Sequence, residues 1–306
     1  MGRGRHTRRE LGATMIGAAA AGLSGCSAAS GQPSEAPRTD AEITTPTAAR
    51  QQPAPPSSSA RASSPGSSSP AARSTQREAP APPSLVGNRR NAWAFAPLSR
   101  PGRVTVEGSV PLEKAYSTSK VLVVCAFVAT VAGGDPAVLT TGQRDRIRRA
   151  LTASDMDALL QLQAAIPGGA QAPITALLRA IGDRETAVPS STFGGMLWSP
   201  REQVRFMAAL SAGRVVNART SRYVLGSMHP IPAHSWGLGQ IGATAFKGGW
   251  LRPDTDTRQM GIVDDYAVAI ITYAVGPAVL QTDGDYAHVE QMNKLAGMLK
   301  RRLAAQ

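Results

Sequence analysis

Between residue 27 and about residue 88 the chain offers almost nothing from which to build a core. Pro, Ser, Ala, Thr and Gln fill this stretch, as in Pro53-Ala-Pro-Pro-Ser-Ser-Ser-Ala60 and Ser63-Ser-Pro-Gly-Ser-Ser-Ser-Pro70. A segment so poor in large apolar side chains cannot bury enough surface to offset the entropy of ordering it. Residues 26–88 are therefore expected to form a disordered tether. A flexible chain of about 60 residues spans on the order of 40 Å r.m.s., and prolines lengthen it. Of the 306 residues, about 89–306 remain for one folded domain, and an apolar content of 42% suffices for its core.

What precedes the tether reads as an export signal. Arg3, Arg5, Arg8 and Arg9 make a positive start, and an apolar run follows from about Leu11 to Leu23. That run is too short to span a bilayer, which takes roughly 20 apolar residues. Leu23-Ser24-Gly25-Cys26 then has the form of a lipobox: small residues before the cleaved bond, and a thiol able to take a diacylglycerol. Residues 1–25 are expected to be removed and Cys26 to carry the lipid, palmitate included. The protein would then be exported and anchored to the outer face of the cell membrane. Thr7-Arg8-Arg9-Glu10-Leu11 also fits a twin-arginine signal, with a plain Arg-rich start as the other reading.

The formal net charge is +12, carried by Arg far more than by the five Lys. No basic stripe is interleaved with aromatics, which make up 5% of the chain, so nucleic acid is not an expected partner. The two cysteines, Cys26 and Cys125, differ too much in context to pair. Cys125 lies in Val121-Leu-Val-Val-Cys-Ala-Phe-Val128 and reads as a small buried hydrophobe. Four histidines and two cysteines show no metal-ligand spacing, and no phosphate loop is present, so no metal or cofactor is expected. A monomer is expected.

In the folded part, Gly102–Val110 alternates and is β-branched, as a strand would be. Ser117 to about Ala132 predicts a helix apolar nearly all round, hence buried. Thr141 to about Ile166 reads as one or two helices. Ser199-Pro200-Arg201-Glu202 opens another with a capping-box pattern. Gly237–Trp250 reads as a turn and strand, 258–274 as one or two strands, and Tyr286–Leu303 as an amphipathic helix. Strands flanking a helical block give an α+β order rather than βαβ alternation.

Lysine is informative because the chain avoids it. Arg cannot lose its proton in a protein, whereas a desolvated Lys can. Lys294 and Lys300 look like solvated helix surface, and Lys114 like a loop residue. Lys120 closes Ser117-Thr118-Ser119-Lys120, the one Ser-x-x-Lys of the chain. At a helix start the i and i+3 side chains share a face, so the amine can take the hydroxyl proton. The helix N-terminus adds N–H donors for an oxyanion. The plainer reading makes Ser117 a helix cap. Ser154-Asp155-Met156 supplies a hydroxyl able to relay a proton, or an ordinary cap before a helix. Lys247-Gly248-Gly249-Trp250 places a cation beside two strand glycines, which suggests close backbone approach by a ligand, or a loose turn.

These three elements, in this order, resemble the Ser-x-x-Lys, Ser-Asp-Asn and Lys-Thr-Gly set of the serine β-lactamase and penicillin-binding protein superfamily. The blocks Ala115-Tyr-Ser-Thr-Ser-Lys-Val-Leu-Val-Val124 and Ala150-Leu-Thr-Ala-Ser-Asp155 are similar to the corresponding parts of class A enzymes. The resemblance covers about residues 90–306. It implies an antiparallel sheet flanked by helices, with a helical subdomain. It also implies that Ser117 is acylated, that Lys120 is its base and that Ser154 relays protons. Lys247 and Gly249 would bind substrate, with Lys247 on its carboxylate. The N–H groups of Ser117 and Trp250 would form the oxyanion hole. The implied substrates are β-lactams or peptidoglycan-like peptides, or another envelope ester or amide.

The chain departs from that pattern in ways that bear on turnover. Met156 stands where the family has Asn, and Gly248 removes the hydroxyl of the third triplet. The interval from Ser117 to Ser154 is short. No Glu-x-x-Leu-Asn loop lies between Ser154 and Lys247, and Glu185, in Gly182-Asp-Arg-Glu-Thr186, has the wrong neighbours. The expectation is an acyl-enzyme former with slow or absent deacylation. Two other readings stand: a non-catalytic envelope lipoprotein on the same fold, and an unrelated envelope protein in which Ser117, Lys120 and Lys247 lie far apart.

Overall fold

A computed structural model describes residues 81–250, 256–274 and 287–306. The lipobox at Cys26, the tether through residue 80 and Tyr286 lie outside the described residues. Ordered structure begins earlier than the expected boundary at residue 89. Leu85 is buried, and its N–H and the Ser84 hydroxyl both donate to the Glu107 carboxylate at 2.9 Å. A contact between residues 22 apart leaves no trace in local composition.

The described residues form β1 (Asn91–Pro97), β2 (Thr105–Gly108), a 3-10 turn at Tyr116–Thr118 and α1 (Ser119–Val131). Then come α2 (Thr141–Thr152), α3 (Met156–Ala164), α4 (Gln171–Ala180), α5 (Pro200–Ser211) and α6 (Ala218–Gly226). They end with β3 (Ala243–Trp250), β4 (Thr257–Val263), β5 (Tyr266–Thr272) and α7 (Ala287–Leu303). The strands make one antiparallel sheet in the order β2-β1-β5-β4-β3. The expected α+β architecture is the one observed.

Strand alternation divides the core in two. Trp93, Phe95, Val268 and Ile270 face one side, where Val289, Met292, Leu295 and Leu299 of α7 cover them. Ala94, Ala96, Ala267 and Ala269 face the other side. Their small side chains leave room for α5 to lie close against β1 and β5. Beyond α5 the same core continues into α1, whose residues from Ser119 to Val128 are all buried. Cys125 is among them, an unpaired thiol pushed up to about 12 by burial.

Three features differ from the sequence expectations. The strand expected over 102–110 is the shorter β2, and it pairs with a strand at 91–97 where none was assigned. α4 and α6 lie where no helix was assigned. Ser199 caps α5 by accepting from the Glu202 N–H at 3.2 Å, but the Glu202 carboxylate pairs with Arg205 rather than reaching back. The reciprocal capping box sits at Thr140 and Gln143 on α2.

Candidate active site

Ser117 sits in the 3-10 turn one step before α1, not at the cap of the helix. The backbone there is fixed from several sides. Tyr116 adopts a left-handed φ of 45°, and its hydroxyl donates to Asp256 Oδ1 at 2.7 Å. Such a conformation costs on the order of 1–3 kcal/mol in a non-glycine residue and persists only where its surroundings hold it. The fully buried Arg258 guanidinium donates to the carbonyls of Glu113 and Lys114 at 2.8 Å and of Trp198 at 2.7 Å. Gln203 donates to Thr118 Oγ1 at 2.8 Å, and Ser119 Oγ donates to the Tyr116 carbonyl at 2.7 Å.

The β3 strand closes on the same turn. A Cβ on Gly249 would stand 2.9 Å from the Ala115 carbonyl and 3.0 Å from the Ser117 nitrogen. The close approach expected at the strand glycines is thus made by the protein's own backbone, which brings the Ser117 N–H beside the edge of the sheet. Trp250 follows directly. Its ring packs at 5.2 Å from Trp236 and 5.0 Å from His234.

Ser117, Lys120 and Trp250 line one cavity of about 600 Å³, within the size range of small-molecule sites. Lys120 is only 1% exposed, and its Nζ contacts the Met156 thioether at 3.7 Å. Burial pulls this amine down to about 8, against the opposing pull of Asp155. Among the described residues, the Ser117 hydroxyl makes no hydrogen bond to Lys120, and no carboxylate lines the cavity. Glu185 is exposed and lines an adjoining depression with Ala187 and Val188, which shares Ser191, Thr192 and Gly195 with the cavity.

Ser154 and Lys247 meet beside this cavity, outside its immediate lining. Lys247 Nζ donates to Ser154 Oγ and to the Gly248 carbonyl, both at 2.9 Å. Its amine lies well below the ordinary lysine range because of burial and then because of the nearby Lys120. Ser154 has a left-handed φ of 60° just before Asp155, whose carboxylate caps α3 by accepting from the Ala158 N–H at 2.9 Å. The capping duty thus falls to Asp155 and leaves the Ser154 hydroxyl for Lys247.

Residues from Ser117 to Trp250 are gathered here: a hydroxyl at a helix start, a desolvated amine beside it, a second Lys–Ser pair, and a strand edge packed on the turn that carries Ser117. Such a set can take a proton from a serine and attack an acyl carbon. Sequence reasoning missed the supports Tyr116, Gln203, Asp256 and Arg258. It also missed the walls Leu159, Leu160 and Phe193. The spacing of Met156, Leu159, Leu160 and Gln163 carried a usable signal, since i, i+3, i+4 and i+7 mark one helix face.

Sheet order, helical block and site together define a serine β-lactamase-type fold. The solved structures it resembles give the particulars. PBP-A superposes with a TM-score of 0.54 at 17% identity, covering 72% of this chain and 91% of that one. The β-lactamase from Sphaerobacter thermophilus gives 0.54 at 13% identity, with 71% and 92% covered. L2 complexed with relebactam gives 0.51 at 13%, with 69% and 91% covered. No family model and no curated protein matches the sequence.

Proposed function

We propose that the protein is a serine acyl-enzyme former in which Ser117 is the nucleophile and Lys120 its base. One observation carries this reading: Ser117 and Lys120 line a single cavity, and the sheet edge bearing Lys247, Gly249 and Trp250 packs against it. Ser154 exchanges protons with Lys247 and serves the leaving group. The N–H groups of Ser117 and Trp250 hold the developing oxyanion. Binding of a β-lactam-like ligand is supported by the relebactam complex of the fold neighbour L2. With no carboxylate among the described lining residues to activate water, the acyl-enzyme persists, and efficient β-lactamase turnover is not expected.

The test is intact mass of the full chain during hours of incubation with a fluorescent penicillin. A long-lived adduct absent from Ser117→Ala is the expected result; no Ser117-dependent adduct speaks against the reading. In that case a non-catalytic binding protein is favoured, and Met156 in contact with the Lys120 amine already points that way. We further propose that a lipid on Cys26 holds the protein at the outer face of the cell membrane. Labelling with an alkynyl fatty acid should mark the chain and be lost in Cys26→Ser.

A further inference from the structure

The cavity beside Ser117 is walled mainly by apolar side chains, and the wall is incompletely covered. One stripe of α3 supplies Met156, Leu159 and Leu160, and Phe193 and Trp250 add aromatic faces. A stripe serving only the core would be buried along its length. Leu159 is, but Met156 is 54% and Leu160 51% exposed. Contiguous exposed apolar surface rimming a pocket marks something that binds there.

The polar groups narrow the choice. Met156 offers a thioether, a weak acceptor, where a peptide amide would need a strong one. Lys247 is 2% exposed and already engaged by Ser154 and the Gly248 carbonyl, which leaves a substrate carboxylate little to claim. We infer that the site acts on esters with an apolar acyl group, the chain lying against Met156, Leu160 and Trp250 while the carbonyl meets Ser117. This rests on the reading of Ser117 as nucleophile and adds the substrate class.

The chemistry balances without a co-reactant other than water. Ser117 Oγ bonds to the acyl carbon and its proton passes to Lys120 Nζ. The acyl C–O bond breaks, and the departing alkoxide takes that proton by way of Ser154 and leaves as an alcohol. Water then adds slowly to the acyl carbon, for want of a carboxylate among the described lining residues, its proton returns through Lys120 to Ser117 Oγ, and the carboxylic acid leaves. The sum is ester plus water giving acid plus alcohol.

The test uses the full chain with p-nitrophenyl acetate, butyrate and hexanoate, and a fluorescent penicillin in parallel. The comparison proteins are Ser117→Ala and Leu160→Gln. Burial of each methylene should raise kcat/KM by about two- to fourfold, from acetate through hexanoate. Ser117→Ala should abolish hydrolysis, and Leu160→Gln, at a half-exposed position, should flatten the chain-length slope. Ser117-dependent hydrolysis with a flat or falling series, or a slope untouched by Leu160→Gln, overturns the inference. A penicillin adduct on Ser117 without ester hydrolysis overturns it too and leaves the nucleophile standing. Reaction with neither reagent sinks both.

Discussion

At the scale of single residues, the distinctive feature is a lysine amine held at the pH where it can act as a base. Lys120 is packed among apolar neighbours with a thioether as its contact, and burial brings it to about 8. A protonated amine accepts nothing, so acylation should be slow at pH 6 and rise as pH passes through about 8, reaching a plateau above it. Adduct formation rates from pH 6 to 10 measure this directly. Lys120→Arg keeps the charge but cannot release its proton, and should lower the rate by roughly 10²–10⁴-fold at every pH. A profile flat across that range would remove Lys120 from the proposed role.

At the scale of elements, the site depends on how closely β3 can approach the turn that carries Ser117. Gly248 and Gly249 look equivalent in sequence, yet their surroundings differ. A Cβ on Gly248 meets a Trp250 ring atom at 3.0 Å, whereas one on Gly249 meets backbone at 2.9 and 3.0 Å. Backbone held by Arg258 and Asp256 cannot step aside as a ring can. Gly249→Ala should therefore destabilise by about 1–3 kcal/mol and impair acylation, while Gly248→Ala should do less of both; thermal melts of the two variants decide it. The same contrast shows what the sequence could and could not reveal. α1 and β3–β5 were legible because runs of apolar residues report full burial, and α7 because its periodicity reports one buried face. Ser117, Lys120, Ser154 and Lys247 were legible because their spacing is unusual in a lysine-poor chain. β1 escaped notice because its alanine-rich face answers the needs of α5, a partner more than 100 residues away. Arg258 escaped because an arginine that serves backbone carbonyls looks like any other arginine of a basic chain.

For the molecule as a whole, the site is a source of instability. Lys120 and Lys247 are both nearly inaccessible, burial lowers both amines, Lys120 lowers Lys247 further, and the pull of Asp155 offsets the cost at Lys120 only in part. The sign follows from proton binding. Between the folded value of about 8 and the ordinary 10.5, the unfolded chain keeps the Lys120 proton and the folded chain does not. Stability therefore rises with pH across that window and is at its full deficit below it. A difference of about 2.5 pKa units corresponds to at most roughly 3 kcal/mol. Lys120→Met, similar in volume and without the charge, should melt higher at pH 7 by up to about 5–10 °C for a domain of this size, while losing all acylation. The advantage should shrink toward pH 10.5 and vanish above it, where the wild-type amine is neutral in both states. A structural lysine would behave in the opposite way, its removal lowering the melting temperature at neutral pH, so the direction of the shift separates a strained catalytic base from a residue kept for the fold.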